Sequence, residues 1–168
     1  MMSTMRIAAI LTVLAGSATA EVDPCVVGTW QADLSELAAI MATQMQGTAT
    51  PVGGMVIMQI TPTNTVRIDV DDMAIRVKVP NAPEMNVTVT GYSTGTMRAE
   101  GNAWTATSTD YNLVGAADIM GTRMEIPFSA ATGMFGSGDG TYTCAGTNLT
   151  FQTSSAAPKI PPTWTRLD

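Results

Sequence analysis

From Met55 onward the hydrophobic pattern is predominantly alternating, segment by segment, and this period constrains the fold of the chain more than any other feature. Val66, Ile68 and Val70 alternate with Thr65, Arg67 and Asp69, and Met73, Ile75, Val77 and Val79 alternate with Arg76 and Lys78. Met85, Val87 and Val89 continue the pattern against Asn86, Thr88 and Thr90. Such segments are strands with one apolar and one wet face. Residues 55–60 read as a nearly continuous apolar strand, Pro62-Thr63-Asn64 and Asp71-Asp72 as turns, and Asp139-Gly140 as a hairpin turn. Further strands are expected at residues 95–100, 104–107, 119–128, 141–144, 149–152 and 163–167. Many short strands punctuated by Gly, Asn, Asp and Pro fit an antiparallel barrel or a sandwich, and closing the sheet removes its exposed edges.

One helix precedes this pattern. Asp33-Leu34-Ser35-Glu36 has the spacing of a capping box, and Leu34, Leu37, Ala38, Met41 and Met45 fall on one side of a helical wheel. Gly47, Pro51, Gly53 and Gly54 end the helix.

Residues 1–20 read as a cleaved secretory leader: Arg6 precedes the apolar run 7–15, and Ala18-Thr19-Ala20 is a small-x-small cleavage site. Residues 21–168 then form a single domain. The apolar run is too short for a bilayer, and no later segment approaches the roughly 18 apolar residues of a membrane helix, so the chain is expected not to span a membrane. A periplasmic or secreted location follows. With 8 basic and 14 acidic residues the formal charge is −6, an unfavourable balance for nucleic acid. Cys25 and Cys144 are the only cysteines, and export places them where disulfides persist, so a Cys25–Cys144 bond is expected, two free thiols being the alternative. The bond would tie the segment before Gly28 to strand 141–144.

The chain has no histidine, which removes the commonest general base and the imidazole of most zinc sites. No catalytic residue, metal site or cofactor is assigned. Asp69, Asp71 and Asp72 read as an acidic turn, and the glycines at 133, 136, 138 and 140 precede a strand rather than the helix that a phosphate cradle needs.

The ends of the domain carry matching motifs, Gly28-Thr29-Trp30 and Trp164-Thr165-Arg166. In this the chain resembles the calycin superfamily, the lipocalins and fatty-acid-binding proteins. The resemblance implies a single antiparallel up-and-down, lipocalin-like β-barrel with a short helix after its first strand. It implies also that Gly28 lets that strand bend, that Trp30 plugs one end of the barrel, and that Arg166 covers the indole. A cation–π contact of this kind is worth roughly 0.5–2 kcal/mol. The Arg-x-Tyr carboxylate anchor of the fatty-acid-binding proteins is absent, since Leu167 and Asp168 follow Arg166.

Methionine is flexible and polarizable and suits a cavity of variable apolar shape. The candidate ligand-binding residues are therefore Met41 and Met45 on the helix, with Met73, Ile75, Val77, Met85, Val87 and Met124 on strands. The expected function is an exported protein that holds a small apolar or amphiphilic ligand in the barrel, with the helix over one opening. The alternative is a solid barrel that binds another cell-envelope protein.

Overall fold

Alternation in the sequence becomes a meander that closes on itself. The computed structural model describes residues 22–131, 133–156 and 159–168, so the expected leader lies outside the described residues. Strand β1 (Gly28–Ala32) leads into helix α1 (Leu34–Met45), followed by β2 (Thr48–Ile60), β3 (Thr65–Lys78), β4 (Met85–Glu100) and β5 (Ala103–Ile119). Then come β6 (Thr122–Ile126), β7 (Gly138–Ala145), β8 (Asn148–Thr153) and β9 (Thr163–Arg166). Sequential neighbours pair antiparallel from β1 to β5, β7 takes the first half of β5, β8 and β9 follow, and β9 returns to β1. The result is the eight-stranded, up-and-down antiparallel barrel with one helix after its first strand. The extra strand, β6, pairs only with the second half of β5.

The inward faces meet row by row. Trp30 lies opposite Met58, Met58 opposite Ile68, and Ile68 opposite Ser93. On β3 the inward Val66, Ile68, Val70, Met73, Ile75 and Val77 are all buried, while Arg67, Asp69 and Arg76 take the outer face. There Arg67 forms a bidentate pair with Asp69 and stacks 4.5 Å over the ring of Tyr92. The buried apolar residues form one continuous cluster through the barrel. Each fully buried Val, Ile or Met contributes about 1.5–3 kcal/mol, which offsets the roughly 1–2 kcal/mol of backbone entropy lost per ordered residue.

Two expected turns are strand interior. Asp71-Asp72 is a bulge inside β3, where the register shifts between Val70 and Met73 and Asp72 takes φ 43°. The exposed pair keeps Val70 and Met73 both facing inward, which unbroken alternation would not allow. Gly54 opposite it has φ 87°, and a Cβ there would stand 2.3 Å from the Asp72 carbonyl oxygen. Asp139-Gly140 lies within β7, because Gly140 has ladder partners on both sides, Trp104 and Thr153. The segments expected at 85–89 and 95–100 are one strand, β4.

The two ends of the barrel are closed differently. At the end where β1 starts, residues 22–27 fold across the opening, with Val22 and Val26 buried. The Asp23 amide donates to the Ala99 carbonyl at 2.9 Å, and its carboxylate accepts from the Tyr142 hydroxyl at 2.7 Å. The expected Cys25–Cys144 disulfide is present and fixes this segment to β7. Trp30 is fully buried beneath it and donates from Nε1 to the Val26 carbonyl at 2.8 Å. Helix α1 covers the other end.

Candidate functional site

The lid is built from local and distant contacts together. The Asp33 carboxylate caps α1 by accepting from the Ser35 amide at 2.7 Å. Glu36 does not complete a capping box; its two oxygens accept from the amide and hydroxyl of Thr163 at 2.6 and 2.7 Å, which pins the first turn of the helix to β9. Leu37, Ala38 and Met41 turn down into the core. The helix ends at Gln46, which takes the left-handed conformation with φ 53°. Its last turn, with Met45 only half-buried, borders a recess.

This recess has a volume of about 240 Å³ and opens at the margin of the lid. Met41 and Met45 form its helical side and Met85 and Val87, at the start of β4, its floor. Phe128 and Met134, from the segment between β6 and β7, complete the wall. Lys159 stands at the edge, its ammonium donating to the Ala131 carbonyl, and no carboxylate lines the recess. The chemistry is therefore apolar and deformable, with a single cation at the rim.

The wall owes its shape to a gap in the sheet. Strand β5 is laddered to β7 as far as Ala106 and to β6 only from Gly115, and residues 127–131 and 133–137 lie across the interval. Tyr111 holds this crossing segment by donating from its hydroxyl to the Met134 carbonyl at 2.7 Å. Burial pushes its pKa up to about 12, so the phenol remains a neutral donor. Gly133 is required at the crossing, since a Cβ there would lie 2.1 Å from the Tyr111 hydroxyl oxygen. Phe135, 2% exposed, plugs the same interval, and its amide donates to the Lys159 carbonyl at 3.0 Å.

Of the eight expected ligand-binding residues, the structure brings Met41, Met45, Met85 and Val87 to the recess. Met73, Ile75 and Val77 lie behind them on β3, fully buried, with Ile75 opposite Val87 and Val77 opposite Met85. They support the recess and do not line it. Met124 is a correction: its register opposite Ala117 puts it on the inward face, yet it is 54% exposed because no described strand covers the far side of β6. Phe128 falls in the strand expected at 119–128 but lies beyond the end of β6 at Ile126, and Met134 and Lys159 were not legible in the sequence, since the segments that carry them have no periodicity.

A second, larger hollow of about 650 Å³ lies on the other side of α1. Ala39, Ile40 and Thr43 face Phe151, Ile160 and Pro162 across it. The lid thus stands between two apolar depressions, and Gln44 borders both.

The three residues expected to close the barrel do meet. Arg166 lies opposite Trp30 in the β1–β9 ladder with its guanidinium 4.2 Å from the indole centroid. Gly28 has φ 146°, and a Cβ there would stand 2.4 Å from Arg166 Nη1. The glycine is needed because the guanidinium passes over it. Compared with known proteins, the chain matches no family model, no curated protein and no solved structure. Among the described residues no helix is long and apolar enough to cross a membrane.

Proposed function

We propose that this protein is a non-catalytic, calycin-like binding protein, periplasmic or secreted, that takes a small apolar or amphiphilic molecule into the recess beside α1. The observation that carries the reading is the convergence of Met41, Met45, Met85 and Met134 on one open depression with a lysine at its rim. Flexible thioethers adapt to ligands of differing shape, and Lys159 favours a polar or anionic head group. A volume of about 240 Å³ is below the roughly 300–1,000 Å³ of drug-sized sites, which favours a short chain or a single ring. The Gly28–Trp30–Arg166 closure and the lid support the calycin reading, the disulfide supports export, and the lack of histidine supports a non-catalytic role.

Native mass spectrometry of protein purified from its source, with titration of a small anionic dye built on a single benzene ring, tests the proposal. A bound small molecule and saturable dye binding that Met85→Trp abolishes are expected. Absence of both would sink it. The solid-barrel alternative, a protein that binds a partner in the cell envelope, is favoured by the continuous buried cluster through the lumen. A saturable protein partner in envelope extract, with no small molecule bound, would select that alternative.

A further inference from the structure

Strand β6 is a free edge on a barrel that is otherwise closed. Thr122, Arg123, Met124 and Glu125 are all exposed, and Met120, in the turn before the strand, is 86% exposed. Natural edge strands are commonly covered by another segment or kept short and charged; β6 is short and carries Arg123 and Glu125, but no described strand covers it.

We propose that β6 pairs antiparallel with β6 of a second copy, centred on Met124, to form a symmetric homodimer. The hairpin fixes which backbone groups are available. Ile119 and Thr122 flank a two-residue turn in which Met120 and Gly121 have φ 49° and 81°, the arrangement in which the flanking residues exchange hydrogen bonds. Thr122, Met124 and Ile126 therefore direct their amides and carbonyls toward β5, and Arg123 and Glu125 direct theirs outward. In a pairing centred on Met124 each Arg123 lies opposite the partner's Glu125 as a hydrogen-bonded pair, so the outward groups are the ones the ladder needs.

The side chains select the same register. Arg123 of each copy meets Glu125 of the other on one face, and the two Met124 side chains, each 54% exposed alone, cover one another on the opposite face. Shifting the centre to residue 123 or 125 opposes two arginines or two glutamates. Among the described residues Glu125 has no cation partner, and the ion-pair partner of Arg123 is the half-buried Asp118, at 3.3 Å. The interface is isologous, so it closes as a dimer and does not propagate. A five-residue strand makes a small interface, which places self-association in the weak, transient class.

Sedimentation equilibrium from about 10 μM to 1 mM is expected to show a monomer–dimer equilibrium. Glu125→Arg is expected to raise the dissociation constant about tenfold or more, and Arg123→Glu with Glu125→Arg to restore it. Should these variants fail to fold, amide exchange in the unaltered protein still decides: the Arg123 and Glu125 amides are expected to slow about tenfold with concentration across that range, while those of exposed turns do not. A chain that is monomeric at every concentration, a charge reversal with no effect, or exchange independent of concentration would each overturn the proposal.

Discussion

Arg166 and Trp30 face one another across the strand pair that closes the barrel, the guanidinium carbon 4.2 Å from the indole centroid. The same guanidinium donates from Nη1 to the Val27 carbonyl at 2.9 Å and from Nη2 to the Cys25 carbonyl. One side chain thus joins the last strand, the first strand and the segment that covers the end of the barrel. The indole gains a charged cover, and two backbone carbonyls gain donors that they would otherwise lack.

Removing the charge while keeping the bulk, as in Arg166→Met, should cost about 2–4 kcal/mol, from a cation–π contact and two charge-assisted hydrogen bonds. Gly28→Ala should also destabilise, since its Cβ would collide with Arg166 Nη1. In an Arg166→Ala background the collision is gone, so Gly28→Ala should cost less there. Urea unfolding of the four species forms a double-mutant cycle. Additive costs would show that the glycine serves only its backbone conformation.

The disulfide holds the other half of this end. Cys25 and Cys144 are separated by 119 residues, a loop for which the chain-entropy model gives about 4–5 kcal/mol. Reduction, or Cys25→Ser with Cys144→Ser, should therefore lower the thermal midpoint by roughly 8–20 °C, at about 2–4 °C per kcal/mol for a domain of this size. Exchange of the Val26 amide should accelerate more than that of β3, because the covering segment loses its tether first. Equal acceleration everywhere would mean that the segment and the barrel unfold as one unit.

Sequence and structure agree where local signals are strong and part where distant chain segments intervene. Helix α1 runs over Leu34–Met45, the span its wheel and Asp33 cap indicate, since both signals lie within a few residues. Glu36 satisfies the same local rule yet binds Thr163, a partner 127 residues away that no spacing rule could supply. Asp71-Asp72 reads as a turn because paired aspartates favour turns, but neighbours on both sides keep β3 continuous and convert the irregularity into a bulge. Met41, Met45, Met85 and Val87 were legible as members of apolar faces. Phe128 and Met134 reach the recess from the segment that crosses a gap in the sheet between β6 and β7, and Lys159 from the connection between β8 and β9.

Glu36 gives a direct test of the lid. Glu36→Ala leaves the Thr163 amide and hydroxyl without an acceptor and should cost about 1–3 kcal/mol. The loss should concentrate at α1, whose amides should exchange about tenfold faster or more than in the parent protein. Glu36→Gln keeps one acceptor oxygen and should fall between the two. Unchanged exchange in α1 would show that burial of Leu37, Ala38 and Met41 alone holds the helix down.

Tyr142 makes stability depend on pH at the alkaline end. Burial, with the hydrogen bond to Asp23 and the charge of that carboxylate, raises the phenol from its ordinary 10.0 to about 12 in the folded protein. Below pH 10 both folded and unfolded chains keep the proton, so the contribution is fully present. Between about 10 and 12 the unfolded chain gives up its proton first, and stability falls as pH rises through the folded value. Tyr111 adds to the loss in the same window through burial. Urea midpoints should therefore be level from neutrality to just below pH 10 and decline steeply above it. Tyr142→Phe should lower the level portion, because the bond to Asp23 is gone, and flatten the decline; an undiminished slope in that variant would place the titrating group elsewhere.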